Sequence, residues 1–221
     1  IPDPTERPRG EPKFVVKDIM NAVYYGSDGN YSKLMWPEIK EVLNSIKKTT
    51  IKIMTNKPEY PPKAAKISKQ NDGRVALSLS DSFCVDRHRD AFLDFIREDV
   101  SILFANEEEI KSLYQVREFE IAVKQALSDC EIAVLTRGSK GSVVVAEDQH
   151  YELKPEMVKN VIDTTGAGDA FAAGFLYGLL RGRPLDICGQ LGGVIAGEVI
   201  SNYGARAKKD LNVLVQGSLK V

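Results

Sequence analysis

Asp163-Thr164-Thr165-Gly166-Ala167-Gly168-Asp169-Ala170-Phe171 sets two glycines and an alanine between two aspartates, directly ahead of the apolar residues Ala172, Ala173, Phe175 and Leu176. The apolar run predicts a helix over about Gly168 to Leu180. The turn before it is then a helix N-terminus, where unpaired N–H groups and the helix dipole favour negative charge. Gly166 and Gly168 permit backbone conformations that a side chain would block, so successive amides can converge on one anion. Asp169 falls in the first turn beside that anion, where it stays ionised. It has the chemistry of a general base toward an attacking hydroxyl. Phosphoryl transfer suits this arrangement, because its loose transition state asks mainly for positioning and charge stabilisation. The amides of Gly166, Ala167 and Gly168 would meet the charge on the transferred oxygens. The plain alternative is a turn capped by an aspartate, with no ligand.

Upstream of this turn, apolar strands alternate with helices: strands at Arg74 to Ser80, Val100 to Phe104 and Ile132 to Thr136, helices at Arg89 to Glu98, Glu107 to Tyr114 and Glu118 to Ser128. That alternation predicts an α/β fold in three α/β/α layers, with a mostly parallel central sheet covered on both faces. Ser142 to Ala146 and Tyr151 to Leu153, around Glu147-Asp148-Gln149, read as a hairpin, and a second apolar helix is expected over Leu185 to Tyr203. Residues 1–13 read as a coil, Phe14 to Val16 as a short strand, Tyr24 to Asn30 as turn chemistry, and Ile51 to Met54 as another strand. Trp36, Ile39, Val42, Leu43 and Ile46 recur at helical spacing. Pro58, Pro61 and Pro62 punctuate the chain. The expected division is an N-terminal segment, 1–62, and a nucleotide-binding and catalytic core, 63–221.

The bulk properties exclude several classes. The 221 residues are 43% hydrophobic and 28% charged, with a formal net charge of -1. No global field would draw in nucleic acid or an anionic membrane. No apolar run approaches the ~18 residues of a membrane span, and the first ten residues lack the apolar core of a signal peptide. Cys84, Cys130 and Cys188 are odd in number and far apart, which suits reduced thiols in the cytoplasm.

Asp163 to Phe171 resembles the C-terminal signature of the ribokinase (PfkB) carbohydrate-kinase family, with every motif position filled. The resemblance implies that Asp169 is the catalytic base and that Gly166, Ala167 and Gly168 form the anion hole. It implies that Asp163 and Thr164 support the hole, near a monovalent-cation site such as one for K+. Asn106-Glu107-Glu108-Glu109 is, by itself, a helix start with an asparagine cap. It is also similar to the family's Asn-x-x-Glu motif, which implies that Asn106 and Glu109 help place Mg2+ and the phosphates of ATP. Thr136, Gly138 and Gly141 resemble the nucleotide-side loop, although a hairpin lead-in explains the glycines equally well.

Gly189, Gly192, Gly193 and Gly197 imply a close approach to their helix, by another helix or by a nucleotide base. The resemblance adds Asn202 and Gly204 as contacts of that base. Leu77-Ser78-Leu79-Ser80-Asp81-Ser82-Phe83 resembles a strand end of the adenosine-kinase-like members. His88 and His150 read as surface residues without partners.

The expectation is an ATP-dependent kinase acting on a hydroxyl of a sugar or nucleoside. A non-catalytic nucleotide-binding module is the alternative, since the resemblance covers about residues 64–210 and residues 1–62 do not resemble the half that supplies the substrate site. Trp36 and its apolar helix face suggest a third role, with 1–62 as an interaction segment. A homodimer is among the assemblies open to the chain.

Overall fold

The computed structural model describes residues 13–16, 22–25, 51–53, 60–79 and 82–218. The chain divides into two compact units, one of residues 1–103 with 128–131, the other of residues 104–127 with 132–221.

In the first unit, strands β1 (Lys13–Val16), β2 (Ala22–Tyr25), β3 (Ile51–Ile53) and β4 (Val75–Ser78) lie in that order. β1 and β2 are antiparallel, with Phe14 opposite Tyr24. β2, β3 and β4 run parallel, with Ile51 opposite Val75 and Ile53 opposite Leu77. Helix α1 (Tyr60–Gln70) occupies the stretch punctuated by Pro61 and Pro62. Pro61 and Pro62 stand in its first turn, where a missing N–H costs nothing. Helix α2 (Ser82–Asp99) begins earlier than its apolar spacing suggests and bends at His88, whose φ of -126° and ψ of 27° are not helical. Ala65, Ile67, Val75, Ala76, Leu77, Val85 and Ile96 are buried in this unit. The outside carries ion pairs, Lys69 with Asp99 at 2.7 Å and Arg97 with Asp129 at 3.1 Å. The expected helix around Trp36 and the turn at 26–30 lie outside the described residues.

Strand β5 (Ile102–Asn106) leads into the second unit, which continues with α3 (Glu107–Tyr114), α4 (Phe119–Asp129), β6 (Ile132–Thr136), β7 (Ser142–Ala146) and β8 (Gln149–Leu153). The strand order is β5-β6-β7-β8. β6, β7 and β8 are antiparallel, and the hairpin closes with Ala146 opposite Gln149. Two helices follow, α5 (Ala167–Leu180) and α6 (Leu185–Ile200), and then α7 (Leu211–Ser218), which the sequence reading did not anticipate. The α/β class is as expected, with a mixed sheet.

The long helices of this unit meet through their glycines. A Cβ on Gly174 would lie 2.5 Å from the carbonyl oxygen of Leu191, and one on Gly192 would lie 2.8 Å from Phe171. Gly189 is filled over by Leu153 and Val144, and Gly197 by Glu156 and Val158. Gly192 therefore serves helix packing, Gly189 the packing of α6 on the hairpin and Gly197 the approach of the 156–158 segment, while a Cβ on Gly193 would meet only Glu156 at 4.0 Å. Phe175 is fully buried and meets Phe104 edge-on, with centroids 5.5 Å apart. Ala170, Leu191, Ile195, Val199 and Val215 form a buried cluster that ties α7 to the same core. Among the described residues no helix is long and apolar enough to cross a membrane.

Candidate functional site

The turn before α5 is held in place by its backbone. The N–H groups of Ile162 and Asp163 both donate to the carbonyl of Ile200, at 2.8 and 3.3 Å, which ties the incoming chain to the end of α6. The Asp163 carboxylate then accepts from two amides, that of Thr165 at 2.9 Å and that of Gly204 at 2.9 Å. The Thr165 hydroxyl and amide, with the Gly204 amide, hold its acid below the usual carboxylate range. Hydrogen bonds to the charged form have that sign. Asp163 thus joins the turn to the segment after α6.

Gly166 is the pivot. Its φ of 77° is left-handed, and a Cβ there would lie 2.5 Å from the Cβ of Ala205. Both the conformation and the space demand glycine. Gly168 differs. It lies inside α5, and a Cβ on it would meet nothing within 4 Å. The Ala167 N–H donates to the Thr164 carbonyl at 3.1 Å, and the Gly166 carbonyl accepts from Ala170 at 2.9 Å. Among the described residues, the N–H groups of Gly166 and Gly168 have no hydrogen-bond partner. Two unspent donors at a helix N-terminus can take an anion, and the space over Gly168 is open. Asp169 occupies the first turn of α5 and is partly exposed.

A second group lies at the ends of β5 and β6. Asn106 and Glu109 form a reciprocal capping box: the Glu109 N–H donates to the Asn106 side-chain oxygen at 2.8 Å, and the Asn106 N–H donates to Glu109 Oε2 at 2.9 Å. The Asn106 amide nitrogen also donates to Glu109 Oε1 at 2.8 Å. Glu109 is buried, and each of its oxygens accepts from Asn106. The helix-cap reading accounts for the pair's geometry. The Thr136 hydroxyl is 3.5 Å from the Ala105 carbonyl, at the limit of a hydrogen bond. Gly138 opens a 3₁₀ turn, Gly138–Lys140, and Gly141 follows it, with φ of 56° and 91°. A Cβ on Gly141 would run into the Leu153 carbonyl, so the hairpin requires that glycine, while the space over Gly138 is open. Among the described residues, no three histidine, cysteine or acidic side chains stand close enough to hold a metal.

Three features escaped the sequence reading. Glu107 accepts from Arg137 at 3.1 Å and from Lys140 at 3.3 Å. Burial alone would raise its acid, but the two cations outweigh that and hold it low. Arg137 in turn lies 4.2 Å over the Phe119 ring. His150, expected to stand alone, is 3.8 Å from the Glu152 carboxylate. Glu198, nearly buried on α6, takes the Lys209 ammonium at 2.9 Å, the Lys209 amide at 3.1 Å and the Asn202 amide nitrogen at 3.3 Å. A lone acid inside the apolar run Val194 to Ile200 was the available signal.

Hydrogen bonds therefore bring together Asp163, Thr165 and Gly204 at the turn, with Gly166 packed against Ala205. Asn106 and Glu109 pair separately with each other. Asn202 bonds back to the Glu198 carbonyl at 2.8 Å and closes the end of α6.

The model of the pfkB carbohydrate kinase family matches residues 23–211 and so reaches upstream of the motifs quoted above. A nucleoside kinase of Methanocaldococcus jannaschii is 31% identical over 156 residues, covering 71% of this chain and 50% of that protein. The crystal structure of a probable sugar kinase from Rhizobium etli CFN 42 superposes with a TM-score of 0.76 at 38% identity, over 82% of this chain and 57% of that one. The adenosine kinase of Sinorhizobium meliloti gives a TM-score of 0.75 at 35% identity, over 81% of this chain and 56% of its own. The chain spans about half the length of the curated relatives it matches.

Proposed function

The chain belongs to the pfkB family of carbohydrate kinases, and from that premise we propose that it transfers the terminal phosphoryl group of ATP to a hydroxyl of a sugar or nucleoside. The observation that carries the reading is the pair of unspent amides, Gly166 and Gly168, at the start of α5, with open space over Gly168. They would hold the transferred phosphoryl group at the point where its charge develops. Asp169, next along the helix, would accept the proton of the attacking hydroxyl. A weak base suffices when bond formation lags behind bond breaking.

The nucleotide would run from this turn along Thr136, Gly138 and Gly141, with Asn202 and Gly204 toward its base. Mg2+ would arrive with the phosphates. Such a hard cation keeps several waters and takes few protein oxygens. Asn106 and Glu109 would order its waters, and Asp163 would lie near a monovalent cation such as K+. The names of the M. jannaschii and S. meliloti relatives make nucleosides the first acceptors to test. Cys84, Cys130 and Cys188 are thiols, which fits a reducing cytoplasm.

The test is turnover of Mg·ATP with adenosine, cytidine, ribose and fructose, followed by Asp169→Asn. The substitution should lower the rate at least ~10²-fold, the scale of general-base catalysis. Undiminished turnover in that variant would reject Asp169 as the base. Nucleotide binding with no turnover on any acceptor would turn the reading toward a non-catalytic module.

A further inference from the structure

The segment from Ser201 to Asp210 is largely exposed, yet it supplies two of the parts that shape the anion turn. Its Gly204 N–H donates to Asp163, and its Ala205 side chain sits where a Cβ of Gly166 would go. Apart from Ala207, which packs partly buried against the core cluster, little apolar burial holds this segment between the end of α6 and the start of α7. Both of its ends meet instead at one carboxylate. Glu198 Oε1 accepts from the Asn202 amide nitrogen at 3.3 Å and from the Lys209 N–H at 3.1 Å, and Glu198 Oε2 takes the Lys209 ammonium at 2.9 Å. The carboxylate is nearly buried, while the Lys209 side chain that reaches it is exposed. Charge-assisted bonds of this kind are about twice as strong as neutral ones.

We propose that Glu198 is a positioning residue for phosphoryl transfer, which clamps the two ends of the 201–209 loop and thereby sets Gly204 and Ala205 against the anion turn. The proposal rests on the nucleotide reading above for its functional half. Its structural half stands on the hydrogen bonds alone. A glutamine at 198 has one acceptor oxygen and an amide nitrogen in place of two acceptors. One Lys209 donor would then face another donor, and the loop would lose its clamp.

The test compares the unmodified chain with Glu198→Gln, Lys209→Met and Lys209→Arg. Amide hydrogen exchange in the ligand-free chain is read at Gly204 and Thr165, and Mg·ATP affinity by calorimetry. Glu198→Gln should speed exchange at both amides by about tenfold or more, consistent with local opening of a segment held by few bonds. It should weaken Mg·ATP by about tenfold, as expected when a small displacement misplaces binding groups. Exchange within α5 from 174 to 180 should not change. Lys209→Met, at an exposed side chain, should act in the same direction, while Lys209→Arg, which keeps the cation, should restore both readouts. Unchanged exchange at Gly204 in Glu198→Gln overturns the proposal. So does faster exchange that stops at 201–209 and leaves Thr165 unmoved. If the unmodified chain shows no affinity for Mg·ATP, the nucleotide reading falls and takes the functional half with it, while the exchange result decides the clamp separately.

Discussion

Replacing either glycine of the anion turn by alanine adds the same methyl group, yet the structure predicts opposite effects on stability. At Gly166 the left-handed φ of 77° costs an alanine about 1–2 kcal/mol. The new methyl would also stand 2.5 Å from the Ala205 Cβ, well inside van der Waals contact. Overpacking of that kind adds about 1–3 kcal/mol. Gly166→Ala should therefore destabilise the chain by roughly 2–5 kcal/mol, the sum of those two costs. At Gly168 the backbone is helical and the methyl would enter open space. Alanine is favoured over glycine there by up to about 1 kcal/mol, less so in a first turn. Gly168→Ala should fold at least as well as the parent, with a melting temperature unchanged or up to about 4 °C higher.

Function should invert that order in its severity relative to stability. The methyl of Gly168→Ala would occupy the space proposed for the phosphoryl group. Turnover should then fall by at least about 10²-fold in a fully folded protein, comparable to the loss of an oxyanion donor. The assays are urea unfolding with linear extrapolation and coupled ATP turnover on the acceptor found in the screen. Full activity in Gly168→Ala would refute the placement of the phosphoryl group over that residue. Unchanged stability in Gly166→Ala would refute the account of strain at the pivot.

Two further outcomes follow from the same geometry. Gly174→Ala would press a methyl to 2.5 Å from the Leu191 carbonyl, a backbone atom that cannot swing away, so α5 and α6 should separate at a cost of about 1–3 kcal/mol, measured by urea unfolding. Glu107 and Glu198 both hold their acids below the ordinary 4.5 in the folded chain, because nearby cations and amides outweigh the effect of burial. The unfolded state then binds protons first as the pH falls, so the stability these groups supply is complete above about 4.5 and is lost on going below it, through their lowered folded values. Unfolding midpoints of Glu198→Gln and Glu107→Gln should accordingly depend less on pH below 4.5 than those of the parent; an identical pH dependence would show that the native cation contacts are not made in solution.

The glycine-rich turn was legible in the sequence because its chemistry is local. Two glycines ahead of an apolar helix specify a backbone conformation and a dipole with no help from the rest of the chain. The Asn106–Glu109 box was legible for the same reason, since both partners lie within one helical turn. The strand and helix alternation of the second unit was also readable, because burial on both faces leaves near-continuous apolar runs. Helix α1 was not, since two prolines in a first turn look like a break until the helix that follows them is seen.

The tertiary structure alone decided which of the site's donors are spent. Ala167 gives its N–H to Thr164, while Gly166 and Gly168 keep theirs. It alone decided that Gly166 is crowded by Ala205 and Gly168 is not, and that Glu198 reaches Lys209, eleven residues away. The crowding of Gly166 and the reach of Glu198 depend on where a later segment of chain comes to rest. A carboxylate's partners across a loop follow from packing of α6 against α5, and no local periodicity encodes them.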